Sequence, residues 1–178
     1  MEKHSFILKD SRELIIRKAV EEDAKKFLEY FNIVGKETDF LGFGIEGPNV
    51  TLEEEKSCFK NSTSKNFFLI AEIEGKIVGS CSISTNEKRV RLKHFGELGI
   101  VVLKEYWNLG IGKKLIEIAL MYGKKGGLRK VNLETRSDNL KAISLYKKLG
   151  FNEEGVITRG TLIGDKFYDL LVMGIEIN

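Results

Sequence analysis

Apolar residues along the chain follow two rhythms, and their order sketches a fold. Residues 13–18 read as a first strand. From about Glu21 the spacing becomes helical, with Val20, Ala24, Phe27, Leu28 and Phe31 on one face. A glycine-rich loop at 42–48 holds the only proline, Pro48. Thr51-Leu52-Glu53-Glu54 then reads as a capping box, with Thr51 at the N-cap, opening a short helix towards Lys60. Residues 67–73 and 77–84 alternate as strands around a Glu74-Gly75-Lys76 turn, and 95–102 form a third. Helical spacing returns over 110–122 with Ile111, Leu115, Ile118, Ala119 and Tyr122, and Gly126-Gly127 breaks it. A strand at 131–135 precedes a helix over 139–149, with Ala142, Ile143, Tyr146 and Leu149 on one face. Gly150 stands where a left-handed C-cap belongs. Residues 151–163 and 166–177 close the chain as two strands around Gly164-Asp165. Antiparallel strands, then a β-α-β-α segment, then a hairpin make a mixed α/β or α+β sheet.

Composition narrows the class. At 178 residues, 42% hydrophobic and 31% charged, the chain suits one soluble domain over 1–178 and is too apolar for disorder. Twenty-nine Lys and Arg against 26 Asp and Glu leave a net charge of +3, without the basic excess of a nucleic-acid binder. The basic cluster at 88–93 reads as a solvated turn. Cys58 and Cys81 are too few for a disulfide framework or a zinc site, and are expected as buried small apolar residues. His4 and His94 are too far apart in sequence to form a local ligand pair, so no metal is expected. The longest N-terminal apolar run, Phe6-Ile7-Leu8, is too short for a signal peptide, and no stretch suits a membrane span. The expected location is cytoplasmic.

The segment richest in chemistry is Val102-Leu103-Lys104-Glu105-Tyr106-Trp107-Asn108-Leu109-Gly110-Ile111-Gly112-Lys113-Lys114. Glycines between a strand and a helix let backbone N–H groups approach a ligand, and the helix start adds positive potential. Such a loop suits a phosphate or pyrophosphate; the same glycines also suit a tight loop with no ligand. A Walker A loop is excluded, because Trp107 and Lys114 stand where it needs Gly and Ser or Thr. A dinucleotide fingerprint is a nearer match, since Glu134 ends the next strand where a ribose acid would fall. It fails on Leu115 in place of the third glycine, on a long approach to Gly110, and on hairpins in place of further β-α units.

Residues 107–112, five positions after the strand-end Val102, resemble the signature Gln/Arg-x-x-Gly-x-Gly/Ala of the GNAT superfamily of acyl-CoA N-acyltransferases. Asn139-Leu140-Lys141-Ala142-Ile143-Ser144-Leu145-Tyr146-Lys147-Lys148-Leu149-Gly150-Phe151 resembles its second block. The likeness runs on to Tyr168-Asp169-Leu170-Leu171-Val172-Met173. Trp107 departs from the usual Gln or Arg. The resemblance implies a central, mostly antiparallel sheet with a β-α-β-α CoA-binding segment and helices on both faces. It implies acetyl transfer from acetyl-CoA directly to a primary amine of a small molecule or peptide. A non-catalytic CoA-binding or regulatory module on the same fold is the other reading.

By position, the resemblance gives the amides of Asn108, Leu109, Gly110, Ile111, Gly112 and Lys113 to the CoA pyrophosphate. Ile100, Val101 and Val102 would pair with the pantetheine arm like an added strand and polarise the thioester carbonyl, and Asn139 would touch CoA from the second helix. Glu97 becomes the candidate general base, although a solvent-facing strand glutamate reads equally well. An amine with a pKa of ~10.4 is poorly deprotonated by a Glu of ~4.3, so a relay through water, or proton removal after attack, is the workable route. Tyr146 becomes the candidate general acid, where spacing alone gives a core aromatic. Proton transfer from its hydroxyl to a thiolate is uphill by about 2 kcal/mol without perturbation. The acceptor site would involve residues 31–50, with Glu37, Asp39, Phe40, Phe43 and Glu46, and the acceptor itself stays open. So does a monomer or a homodimer.

Overall fold

The computed structural model describes residues 2–178; Met1, part of the domain expected over 1–178, lies outside them. In chain order the strands and helices are β1 (Lys3–Ile7), β2 (Glu13–Lys18), α1 (Ala24–Glu37), α2 (Leu52–Lys60), β3 (Phe67–Ile73), β4 (Lys76–Ser84), β5 (Phe95–Val102), α3 (Ile111–Lys125), β6 (Lys130–Arg136), α4 (Leu140–Lys148), β7 (Asn152–Ile163) and β8 (Lys166–Glu176). Among the described residues, eight strands join one sheet in the order β1-β2-β3-β4-β5-β6-β8-β7. Every pair is antiparallel except β5 with β6, which α3 connects as a crossover. β1 was not foreseen. It is a five-residue edge strand with only His4 and Phe6 partly covered, so its alternation carries little apolar signal.

Local chemistry sets the boundaries. The Thr51 hydroxyl accepts the Glu54 amide at 3.2 Å and the Glu54 carboxylate accepts the Thr51 amide at 2.8 Å, which starts α2 as the sequence predicts. Glu74 and Gly75 both have positive φ, 51° and 76°, as a two-residue hairpin turn with the twist of its strands demands. Inward faces of the helices fill both sides of the sheet. On one side α1 buries Phe27, Tyr30 and Val34, and Phe59 of α2 meets Phe27 edge-on at 5.1 Å. On the other, α3 buries Ile111, Leu115, Ile116, Ile118 and Ala119, and Leu145 of α4 approaches its first turn. Each large apolar side chain removed from water contributes about 1.5–3 kcal/mol. Arg17 joins β2 to the start of α1 and to β3, at 2.7 Å from Asp23 and 2.8 Å from Glu72.

One expectation needs correction. Cys81 is buried under α3 and α4, but Cys58 is exposed. On the short helix α2 the inward positions are Glu55 and Phe59, which turns Cys58 outward.

Candidate active site

The site begins where the sheet splits. β5 pairs with β6 only from Phe95 to Glu97, the last pair being Glu97 opposite Asn132. Beyond that point β5 stays joined to β4 as far as Val102, and β6 stays joined to β8 as far as Arg136. The two strands therefore diverge, and the inner edge of β5 is left without a strand partner. The Leu103 amide donates to Val78 of β4 at 3.0 Å, so odd-numbered positions of β5 face β4 and Leu98, Ile100 and Val102 face the opening. A cleft of about 280 Å³ lies there, bounded by Phe95, Glu97, Leu98, Asn132 and Glu134 among others. The carbonyl of Val101 is instead braced from α1, accepting the buried Tyr30 hydroxyl at 2.9 Å, with Ser80 Oγ 3.3 Å from the same hydroxyl.

The loop that follows β5 is bent by two left-handed residues, Asn108 at φ 64° and Gly110 at φ 85°. Glycine takes this conformation without a Cβ clash. Trp107 braces the bend: its indole Nε1 donates to the Val102 carbonyl at 2.7 Å. The first helical bond runs from the Lys114 amide to the Gly110 carbonyl at 3.1 Å. Among the described residues, none of the amides from Asn108 to Lys113 meets a protein acceptor. Six free donors lead into the start of a 15-residue helix, the kind of surface that attracts an anion. The Lys113 side chain points to solvent and sits 3.7 Å from Glu117.

Tyr146 and Glu97 lie on opposite faces of the sheet. Tyr146, on α4, is buried with its ring 6.0 Å from Phe151. Burial, and to a lesser extent neighbouring Cys81, pushes its hydroxyl above its ordinary pKa. Glu97 is exposed on the α1 side, in register with Ser84 of β4. The two can serve one substrate only through the gap between β5 and β6. Asn139 precedes α4 without a side-chain capping bond and is tied back to β6: its amide donates to the Arg136 carbonyl at 2.9 Å and its Nδ2 to Thr135 Oγ1 at 3.3 Å.

The structure adds residues that sequence reasoning did not place. Glu134, considered there only as a ribose acid, lines the same cleft as Glu97, with no ion-pair partner among the described residues. Asn132 lies between them, and its buried Oδ1 lacks a hydrogen-bond partner. Strand alternation alone would have put Glu134 on the same face as Asn132; the register of β6 against β5, a long-range fact, was the missing signal. Among the described residues no group of three or more His, Cys, Asp or Glu side chains is placed to hold a metal ion, and no helix is long and apolar enough to cross a membrane.

A mixed sheet that splits at its one parallel pair, beside a nest of free amides, defines a ligand-binding α/β protein. The model of the acetyltransferase (GNAT) family matches residues 17–151, and the chain belongs to that family. An N-alpha-acetyltransferase of Sulfurisphaera tokodaii is 34% identical over 109 residues, 57% of this chain and 65% of the relative. A beta-lysine N(6)-acetyltransferase of Methanococcus maripaludis is 30% identical over 154 residues, 85% of this chain and 51% of the relative. The chain thus spans about half to two thirds of the length of these curated relatives. The crystal structure of a GNAT-family acetyltransferase from Streptococcus pneumoniae matches with a TM-score of 0.88 and 37% identity, covering 93% of this chain and 99% of that one.

Proposed function

We propose that the chain is an N-acetyltransferase that moves an acetyl group from acetyl-CoA to a primary amine of a small molecule or peptide. The observation that carries this reading is the succession of two backbone surfaces: an inner edge of β5 with no strand partner, closed at its end by the indole of Trp107 on the Val102 carbonyl, and the free amides of 108–113. Five residues, 103–107, carry the chain from the open edge of β5 to the free amides of 108–113. An extended arm of amides ending in a pyrophosphate fits both at once. The names of the relatives, an N-alpha-acetyltransferase and a beta-lysine N(6)-acetyltransferase, support an amine acceptor. Free thiols at Cys58 and Cys81 accord with a reducing cytoplasmic setting.

Acetyl-CoA, when bound, supplies an acetyl group activated as a thioester. In this reading the amides of Asn108 to Lys113 hold the pyrophosphate, and the backbone of Ile100 and its neighbours Val101 and Val102 aligns the pantetheine arm. An amide from this edge polarises the thioester carbonyl. Asn139 holds CoA from the α4 side. Glu97 takes the amine proton through water or after attack, since its carboxylate faces the cleft. Tyr146 offers its hydroxyl to the leaving sulfur. Because burial raises the pKa of that hydroxyl, full proton transfer is harder than from a free tyrosine, and hydrogen bonding to the sulfur is its larger contribution.

The test is a panel of primary amines with acetyl-CoA, read as free thiol release. Amine-dependent release is expected, and Glu97→Gln should lower kcat/KM roughly 10²-fold near neutral pH. That loss should shrink above pH ~10, where the amine arrives already deprotonated. Thiol release indifferent to every amine would sink the enzyme reading. A folded Glu97→Gln variant with unchanged kinetics, beside a crippled Glu134→Gln, would move the base to Glu134.

A further inference from the structure

Arg136 ends β6 two residues beyond Glu134, on the same face, so about 7 Å of strand separates it from the cleft. Its side chain is 6% exposed, an unusual position for a cation. Nε and Nη2 fork onto Asp138, at 3.0 and 2.6 Å from its two carboxylate oxygens. Nη1 reaches a different part of the chain and donates to Asp39, at 3.0 Å from Oδ2 and 3.3 Å from the carbonyl. The guanidinium also lies against two rings, 3.7 Å from the centroid of Tyr168 on β8 and 4.6 Å from that of Phe40.

Asp39 and Phe40 belong to the irregular segment 38–51 that joins α1 to α2. Both are exposed, and neither packs into the core. Elsewhere on this segment Leu41 packs against the edge of the core and Phe43 stacks on Phe31 of α1 at 5.3 Å. Arg136 is the polar grip that ties the first half of the loop, at Asp39 and Phe40, to the end of β6. An arginine suits this task because its planar fork serves two carboxylates while its faces stay free to stack; a lysine has neither property. Both carboxylates are supplied from within the chain, so the cation is already neutralised and has little charge to offer a substrate.

We propose that Arg136 is a positioning residue for the amine acceptor. By clamping Asp39 and Phe40 to the end of β6, two residues beyond Glu134, it holds the loop 38–51 next to the acceptor end of the cleft. It therefore sets the apparent affinity for the amine and leaves that for acetyl-CoA unchanged. The inference rests on the reading of the cleft as an amine site. The CoA-facing amides of 108–113 belong to a different loop, braced by Trp107 rather than by Arg136.

Two measurements on the full chain test it. Hydrogen exchange of the ligand-free protein reads the clamp itself: Arg136→Gln should speed exchange of amides in 38–51 and leave 108–125 as in the wild type. Steady-state kinetics with an amine that the wild type accepts reads the consequence. KM for that amine should rise roughly ten- to a hundredfold while kcat falls far less and the acetyl-CoA dissociation constant stays within about twofold. Arg136→Lys should recover only a small part. Asp39→Asn should shift the same KM in the same direction, and the double variant Arg136→Gln with Asp39→Asn should add nothing to Arg136→Gln alone. Should Arg136→Gln fail to fold, Asp39→Asn and Phe40→Ala, both at exposed loop positions, carry the test through the same readouts. Unchanged exchange in 38–51 overturns the clamp whatever the enzyme's activity. A loosened loop with an unchanged amine KM overturns the positioning role while the acetyltransferase reading stands.

Discussion

The two halves of the proposed ligand site, the loop 108–113 and the cleft between β5 and β6, are built from different materials. At the 108–113 end the groups offered to a ligand are backbone amides, arranged by two left-handed residues and one helix start. At the other end they are side chains: Glu97 from β5, Asn132 and Glu134 from β6, and the loop held by Arg136. A backbone surface depends on conformation and is nearly indifferent to what most side chains are. A side-chain surface changes with each substitution. The first kind suits a ligand common to many proteins, and the second suits one that differs between them.

The sharpest way to break this contrast is Gly112→Asp. A Cβ at Gly112 would meet Leu145, Ile100 and Val102 at 3.5, 3.7 and 3.9 Å, ordinary contact distances, so Gly112→Ala should fold and bind. A carboxylate there places like charge near the pyrophosphate, and acetyl-CoA affinity measured by calorimetry should fall roughly 10²-fold. Equal affinity in folded Ala and Asp variants would mean that the amides of 108–113 do not hold the phosphates.

Tyr146→Phe is expected to act more gently, and on kcat. Phe keeps the contact with Phe151 and removes only the hydroxyl. A drop of about ten- to thirtyfold in kcat, with KM for acetyl-CoA little changed, fits a group that helps mainly in the transition state. The low end of the general-acid range follows from the raised pKa of the buried hydroxyl. An unaltered kcat in a variant that melts like the wild type would leave Tyr146 as a core aromatic.

The smallest effect should come from Trp107→Phe. The ring stays and one hydrogen bond to the Val102 carbonyl is lost. A loss of about 1 kcal/mol would weaken acetyl-CoA binding about fivefold. A hundredfold loss would show that this side chain, and not the backbone, governs the loop.

The same division explains what the sequence made legible. Strand and helix order, the capping box at Thr51, the Glu74-Gly75 turn and the Gly110 loop are local, and local chemistry writes them into short windows. The likeness of 107–112 and 139–151 to a known family rests on such windows too. β1 escaped because an edge strand with two half-covered residues barely alternates. Glu134 and Arg136 escaped because their surroundings depend on β6 lying beside β5 and on Asp39 reaching across from another element. Val101 shows the finer limit. Its place in the strand was readable, but the direction of its carbonyl, towards Tyr30 rather than the gap, required the register.

Trp107 is the only tryptophan in the chain, and it stands next to the free amides of 108–113 with its indole N–H tied to the end of β5. The protein therefore carries its own optical probe, half-open to water and 5.8 Å from the Lys141 ammonium. Any ligand that settles on the neighbouring amides alters the polarity around that ring. Emission on excitation at wavelengths selective for indole should then shift or quench on titration with acyl-CoA. No label, coupled enzyme or knowledge of the acceptor is needed, and every variant that spares Trp107 is measured on the same scale.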